Sequence, residues 1–279
     1  SLLVTALLAA FAVACQSPFG TAANESAGVE SLQRSGVSAP AMDRAQLLED
    51  LRILAADDME GRLVATVGSE RARAYIISRF EPIGESFEST FEFARPNGWS
   101  PSTTGTNIIA RLRGTGESGR VMVISAHYDH MGVRGGEIWN GADDNASGVA
   151  GLLATAASFA TTPPQHDIIF VAFDAEEHGL QGAEAFVANP PVPLETVTFN
   201  LNLDMLAMSQ ERILWAVGTY HYPALIPVVD AVAARSNVNL PMGRMRPTAV
   251  NSTRPASPSS IWASIITRII MSRPTRMGT

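Results

Sequence analysis

The chain contains no lysine, a single cysteine and, beyond residue 230, no acidic residue. All 20 basic side chains are therefore arginine, a bias that points to a GC-rich coding sequence rather than to a function. With Cys15 alone, neither an intrachain disulfide nor a thiolate metal cluster can form. A formal charge of −7 argues against nucleic acid as the main partner. Aromatic residues are scarce at 7%, yet an apolar fraction of 46% in 279 residues is ample for the core of one medium domain.

Long apolar runs are also few. Leu2 to Ala14 is too short to span a bilayer comfortably and sits where a signal peptide would. The lack of an initiator Met and of a basic n-region predicts a truncated start. Ala12-Val13-Ala14-Cys15 resembles a bacterial lipoprotein cleavage box, with Ala12 where Leu is usual; an ordinary secretory signal is the alternative. Both readings predict export from a bacterial cytoplasm, either to the envelope with a lipidated Cys15 as membrane tether or as a periplasmic or secreted protein. Residues 16–41, rich in Ser, Gly and Ala without periodicity, predict a flexible linker.

From there the pattern alternates. Asp43 to Ala56 carries apolar residues at helical spacing, and Asp58 to Arg62 reads as a turn. Ser69 is placed to cap a helix from Glu70 to Phe80. Strand-like stretches follow at Glu88 to Phe93, Thr106 to Leu112, Val121 to Ser125, Asp167 to Phe173 and Thr196 to Leu203. Helical stretches are Ser147 to Ala160, Leu180 to Ala188 and Pro223 to Arg235. Strands alternating with helices predict an α/β domain over residues 42–241, with a mixed, mostly parallel central sheet flanked by helices on both faces.

Four successive segments present polar groups at or just past their ends. The first runs into His127-Tyr128-Asp129-His130, where His127 and Asp129 project on the same side of an extended chain. A carboxylate there can fix an imidazole tautomer while the other ring nitrogen binds metal. The second is the acidic, glycine-flanked loop Gly141-Ala142-Asp143-Asp144-Asn145, in which Asp144 or Asn145 could equally cap the next helix. The third is Glu176-Glu177, which on its own also reads as an acidic helix start. The fourth is Asp204, which could be a turn residue. Together they put His and carboxylates on the strand edge where open α/β sheets bind ligands, a set suited to Zn²⁺ in a hydrolytic site.

The combination of His-x-Asp, Gly-Ala-Asp-Asp-Asn-Ala-Ser-Gly, Glu-Glu-x-Gly-Leu-x-Gly and Asn-x-Asp-Met resembles the co-catalytic zinc exopeptidases typified by bacterial leucine aminopeptidases, relatives of glutamate carboxypeptidases and glutaminyl cyclases. The resemblance runs from about Leu47 to Arg235 and includes Glu60-Gly61-Arg62 and Thr106-Asn107-Ile108. It implies a zinc exopeptidase fold and two Zn²⁺ per chain. His127 and Asp204 would hold one zinc, Glu177 the other, and Asp144 both, with a cis peptide at Asp144-Asn145. Asp129 would orient His127, and Glu176 would be the general base toward a water bridging the metals. The implied activity is release of N-terminal residues from peptide substrates; a carboxypeptidase or cyclase, or a metal-binding protein without turnover, are the alternatives. His130 and His178 read as supporting or structural, and His166 as a loop residue.

The family's last ligand, a His in a Tyr-His-Thr-like motif near the C-terminus, has no counterpart. His221 is the only His after Asp204 and stands too early. Residues 242–279 predict an aberrant tail: seven arginines follow Ala231 without an acid, and Thr248 to Ser260 is rich in Ser, Pro and Thr. A one-base shift of the frame, with third bases chosen freely, restores a Tyr-His pair followed by Asp, and Trp262-Ala263 forces a Gly. The sequence therefore predicts a single-nucleotide indel between Met242 and Ser252, and a weakly occupied second zinc position in this chain.

Overall fold

The computed structural model describes residues 41–94, 102–207, 213–219, 222–236, 239–243 and 267–270. Cys15, the linker up to residue 40, His221 and most of the tail lie outside the described residues.

Helix α1 (Arg44–Leu54) starts at Asp43, whose carboxylate accepts from the Gln46 N–H at 3.1 Å. Helix α2 (Val67–Phe80) starts earlier than the sequence suggests, because Thr66 is the cap. Its backbone is extended, and its hydroxyl accepts from the Ser69 N–H at 3.3 Å, so Ser69 is the capped residue and not the capping one. The two helices are clasped through Asp50, fully buried on α1. Its carboxylate accepts from Gln46 Nε2 at 2.9 Å, Tyr75 Oη at 2.6 Å and Arg79 Nε at 2.9 Å. Asp50→Ala leaves Arg79 without its carboxylate, and because Arg79 retains some solvent we expect the low end of such losses, about 3 kcal/mol, read from the urea midpoint. A shift equivalent to under about 1 kcal/mol, the value of an exposed pair, would show that the clasp is dispensable.

The strands are β1 (Glu85–Phe93), β2 (Thr103–Leu112), β3 (Val121–His127), the pair β4 (Gly132–Arg134) and β5 (Glu137–Trp139), then β6 (Asp167–Phe173), β7 (Val197–Asp204), β8 (Trp215–Val217), β9 (Met242–Gly243) and β10 (Thr267–Ile270). Eight of them form one sheet in the order β1-β2-β6-β3-β7-β10-β8-β9. β6, β3 and β7 run parallel at its centre, and β10 lies parallel to β7; β2 and β1 run antiparallel at one side. Central strands buried on both faces read as continuous apolar runs, as in Val121-Met122-Val123-Ile124 and Ile168-Ile169-Phe170-Val171.

Strand alternation divides these runs between two cores. Met122, Ile124, Ala126, Ile168 and Phe170 face a thick layer with Leu54 of α1, Ile76 and Phe80 of α2, Leu152 and Phe159 of α3 (Gly148–Thr161), and Val228 and Val232 of α5 (Ile226–Arg235). Val121, Val123, Ile169, Val171 and Phe173 face a thinner layer with Phe186 of α4 (Gln181–Ala188). Helices thus cover both faces, as the alternation predicts. Among the described residues, no helix is long and apolar enough to cross a membrane.

Three differences from the sequence reading have local causes. The β4–β5 hairpin, unpredicted, turns on Gly135-Gly136, both at positive φ as a tight two-residue hairpin requires. The helix expected from Pro223 is a 3₁₀ turn (Pro223–Leu225) followed by α5. Strands appear at Met242–Gly243 and Thr267–Ile270, where none was expected; both are too short to show a period in sequence.

Candidate metal centre

Because β3, β6 and β7 are parallel, their carboxyl ends reach one edge together. His127 is the last residue of β3, in register with Phe173 at the end of β6, and Asp204 is the last residue of β7. Asp144 comes from the loop ahead of α3. His127 Nε2 lies 3.2 Å from Asp144 Oδ1 and 3.5 Å from Asp204 Oδ1. Donors sharing one tetrahedral zinc at about 2.0–2.1 Å sit roughly 3.3 Å apart, so this set fits such an ion. Its electrostatics agree. Burial alone would lower the His127 pKa, but the carboxylates of Asp129, Asp144 and Asp204 outweigh it and raise the pKa well above the ordinary value. Without an ion, a proton on the imidazole answers those carboxylates; a divalent cation answers them with more charge.

His127 Nδ1 lies 3.2 Å from the Asp129 carbonyl oxygen and 3.6 Å from its carboxylate, so the hydrogen bond is to the carbonyl and the carboxylate is a neighbouring charge. That carboxylate has other partners: its Oδ1 accepts from the Glu176 N–H at 2.9 Å and its Oδ2 from the Glu177 N–H at 3.2 Å. Asp129 therefore grips the backbone of the Glu-Glu turn, a contact 47 and 48 residues away that no local pattern announces. The turn is braced behind by Asp174, which accepts from the N–H groups of Thr106 and Ala175 at 2.9 Å each. Burial, with the Asp129 charge, pushes the Asp174 carboxyl up to about 7.

Glu177 Oε1 stands 2.7 Å from His130 Nδ1. His130, Asp144 and Glu177 form a second donor set whose ligand atoms all lie within 4.8 Å of one another, as do those of His127, Asp144 and Asp204. Asp144 belongs to both sets. Glu176, half-buried, belongs to neither. The other two described histidines are elsewhere: His178 packs against Phe93 at 5.7 Å between ring centroids, and His166 Nδ1 pairs with Ser118 Oγ at 2.5 Å.

The Asp144 loop is latched to the end of β7. The Asp144–Asn145 peptide is cis. Asn145, fully buried, accepts through Oδ1 from the N–H groups of Gly148 at 3.0 Å and Met205 at 3.1 Å, and donates through Nδ2 to Leu203 O at 3.0 Å. It thus caps the helix, as the sequence allowed, and also ties the loop to the strand that carries Asp204. Ser147 Oγ accepts from the Leu206 N–H at 2.8 Å, and Asp143 Oδ1 from the Ala207 N–H at 2.8 Å. Gly148 is required here, since a Cβ would run into Leu203 O and Asn145 Oδ1.

Arg62, the largest fully buried side chain among the described residues, holds the start of the Asp144 loop and the segment just past β3. Its guanidinium donates to the carbonyls of Tyr128 and Asn140 at 2.7 Å, Gly141 at 2.9 Å, and Leu54. Burial pulls its pKa down to about 10 against the opposing carboxylates of Asp129, Asp144 and Glu177, so it stays cationic at neutral pH. In sequence Arg62 was only part of a resembling turn. Its partners are backbone groups, three of them 66 to 79 residues distant, which sequence patterning does not display.

A model of peptidase family M28 matches residues 107–251, just over half of the chain. The chain belongs to peptidase family M28. A "Probable zinc metalloprotease" of Pyricularia oryzae is 40% identical over 114 residues, 37% of this chain and 21% of that protein. The aminopeptidase YwaD of Bacillus subtilis is 34% identical over 93 residues, 33% of this chain and 19% of that protein. The M28 chain thus spans about a fifth of the length of these curated relatives. In fold it is similar to a Zn-dependent exopeptidase from Parabacteroides distasonis, with TM-score 0.65 and 17% identity over 85% of this chain and 87% of that one. Glutaminyl cyclase from Porphyromonas gingivalis is similar too, with TM-score 0.66 and 18% identity over 86% and 87%.

Proposed function

We propose that this M28 chain is a zinc-dependent exopeptidase that releases N-terminal residues from peptides. The observation that carries the reading is the pair of donor sets sharing Asp144, with Glu176 next to Glu177 in the chain, its charge acting on His127, and part of neither set. His127 and Asp204 would hold one zinc and Glu177 the other, with Asp144 common to them. Zinc supplies Lewis acidity toward the scissile carbonyl and lowers the pKa of water. Glu176 takes the proton of the attacking water and hands it to the leaving amine, a role open to it because it is not spent as a ligand. The backbone grip of Asp129 keeps that carboxylate at the strand edge.

The similarity to YwaD supports aminopeptidase chemistry; the fold shared with glutaminyl cyclases supports a cyclase as the second reading. The two separate in one assay. The zinc-loaded chain is expected to release p-nitroaniline from aminoacyl anilides, with the rate abolished by a chelator. Conversion of N-terminal glutaminyl peptides without anilide hydrolysis would favour the cyclase. Inertness toward both, with zinc bound, would leave a metal-binding protein without turnover.

The reading frame after Met242–Ser252 belongs to the same proposal. The family match ends at residue 251, inside that interval, and the shifted frame restores the missing Tyr-His and Asp. Resequencing the 3′ end of the gene is expected to show a one-base difference; an uninterrupted frame, matched by the intact mass of the natural protein, would refute it.

A further inference from the structure

In the sequence, the zinc position at Glu177 is left with two carboxylates, Glu177 and the shared Asp144. We propose that His130 is its third protein ligand in this chain, an inference that rests on the two-zinc reading above. Three observations converge on it. The His130 imidazole reaches Glu177 at 2.7 Å, and both groups lie within 4.8 Å of Asp144. Both side chains are largely buried, at 11% and 16% exposure, so solvent does not compete freely for them. The ring also lies against Gly141, where any Cβ would strike its Cδ2 and Cγ, so the bare glycine at positive φ makes room for it.

The chemistry is the ordinary one for zinc. Neutral imidazole with two carboxylates is a familiar hydrolytic donor set, and it matches the His127, Asp144 and Asp204 set in composition. A 2.7 Å separation is a hydrogen bond, with Nδ1–H donating to the carboxylate. Two donors on one tetrahedral zinc stand about 3.3 Å apart, so ligation requires the pair to open by roughly 0.6 Å and the neutral ring to shift to its Nε2–H tautomer, Nδ1 giving up its proton as Nε2 takes one. One imidazole swing supplies the opening. The second position then has as many protein donors as the first, and weak occupancy no longer follows.

Metal affinity alone would not decide the matter, because a mere hydrogen-bond partner of a ligand also costs about 10–100-fold when removed. The count of bound imidazoles does decide it. In the full chain of this sequence, made with residues 242–279 as they stand and loaded with Co²⁺, each ligating His places one exchangeable ring N–H proton in the hyperfine-shifted region of the proton spectrum. We expect two such signals, one of which disappears in His130→Gln, whose amide can still donate to Glu177 but is a poor metal donor. Elemental analysis should show zinc falling from near two per chain to near one. One shifted signal in the unaltered chain, or two metals retained by His130→Gln with an unchanged spectrum, would overturn the proposal. If the variant does not fold, the signal count of the unaltered chain decides alone. Neither measurement needs turnover, so a chain that binds metal through His130 yet cleaves no peptide would refute the peptidase reading and leave this one standing.

Discussion

Glu176→Gln is expected to reduce hydrolysis by roughly 10²–10⁴-fold, the range contributed by a positioned acid–base group, with metal content unchanged. Glu176 sits at the carboxyl edge of the sheet, in the turn between β6 and α4, next to a residue of the second donor set and outside both sets. Its backbone N–H is held by Asp129 at 2.9 Å, a contact that does not involve the Glu176 side chain. The turn therefore survives the substitution, and so does the Glu177 N–H contact at 3.2 Å. What the substitution removes from the donor edge is the proton acceptor. Glu176→Ala should behave alike, since no ligand is removed in either case. Steady-state kinetics together with zinc analysis give the test. A variant that keeps its rate would move the general base elsewhere, and a variant that loses zinc would make Glu176 a ligand.

Arg62→Met is expected to destabilise the domain by at least 3 kcal/mol, against the 5–15 kcal/mol that usually holds a domain folded. The side chain is fully buried and satisfies four backbone carbonyls, two of them at Asn140 and Gly141, which open the Asp144 loop, and one at Tyr128, between His127 and Asp129. Each buried acceptor left without a donor costs about 1–3 kcal/mol, less than additively. The negative groups Asp129, Asp144 and Glu177 also lose a fixed cation. Urea unfolding with an unchanged slope measures the loss. Arg62→Lys, with a point charge and three donors in place of a planar fork, should recover only part. A Met variant within about 1 kcal/mol of the parent, no more than one ordinary hydrogen bond, would show that the carbonyls find water instead. Where the Met variant does not accumulate, the Lys variant carries the same comparison.

The two predictions differ in how far the residues were visible beforehand. Glu176 was legible because it follows a strongly apolar strand and stands beside a second glutamate, an arrangement with few innocent explanations once His127, Asp144 and Asp204 end neighbouring segments. Arg62 was not, because its partners are main-chain oxygens that carry no residue identity. Asp129 lies between these cases. Its spacing from His127 announced a partnership, but the carboxylate makes its hydrogen bonds to the Glu176 and Glu177 amides, while its carbonyl takes the imidazole. The Ser69 cap failed for a smaller reason: Thr66, three residues earlier, has the extended backbone a cap needs, and its hydroxyl accepts from the Ser69 N–H while donating to Leu63 O at 2.6 Å.

The sequence by itself determined the α/β class, the positions of the buried strands and the polar groups their ends carry, because burial on both faces and on one face leave different periods in the chain. It also excluded an intrachain disulfide and a thiolate metal cluster, since Cys15 stands alone. Tertiary structure alone decided which imidazole stands beside Glu177. Sequence order looked for a histidine after Asp204, whereas the parallel packing of β3 against β6 brings the loops that follow them together and sets His130 2.7 Å from Glu177. Residues 47 apart become neighbours through strand register, and register is a property of the sheet rather than of either segment.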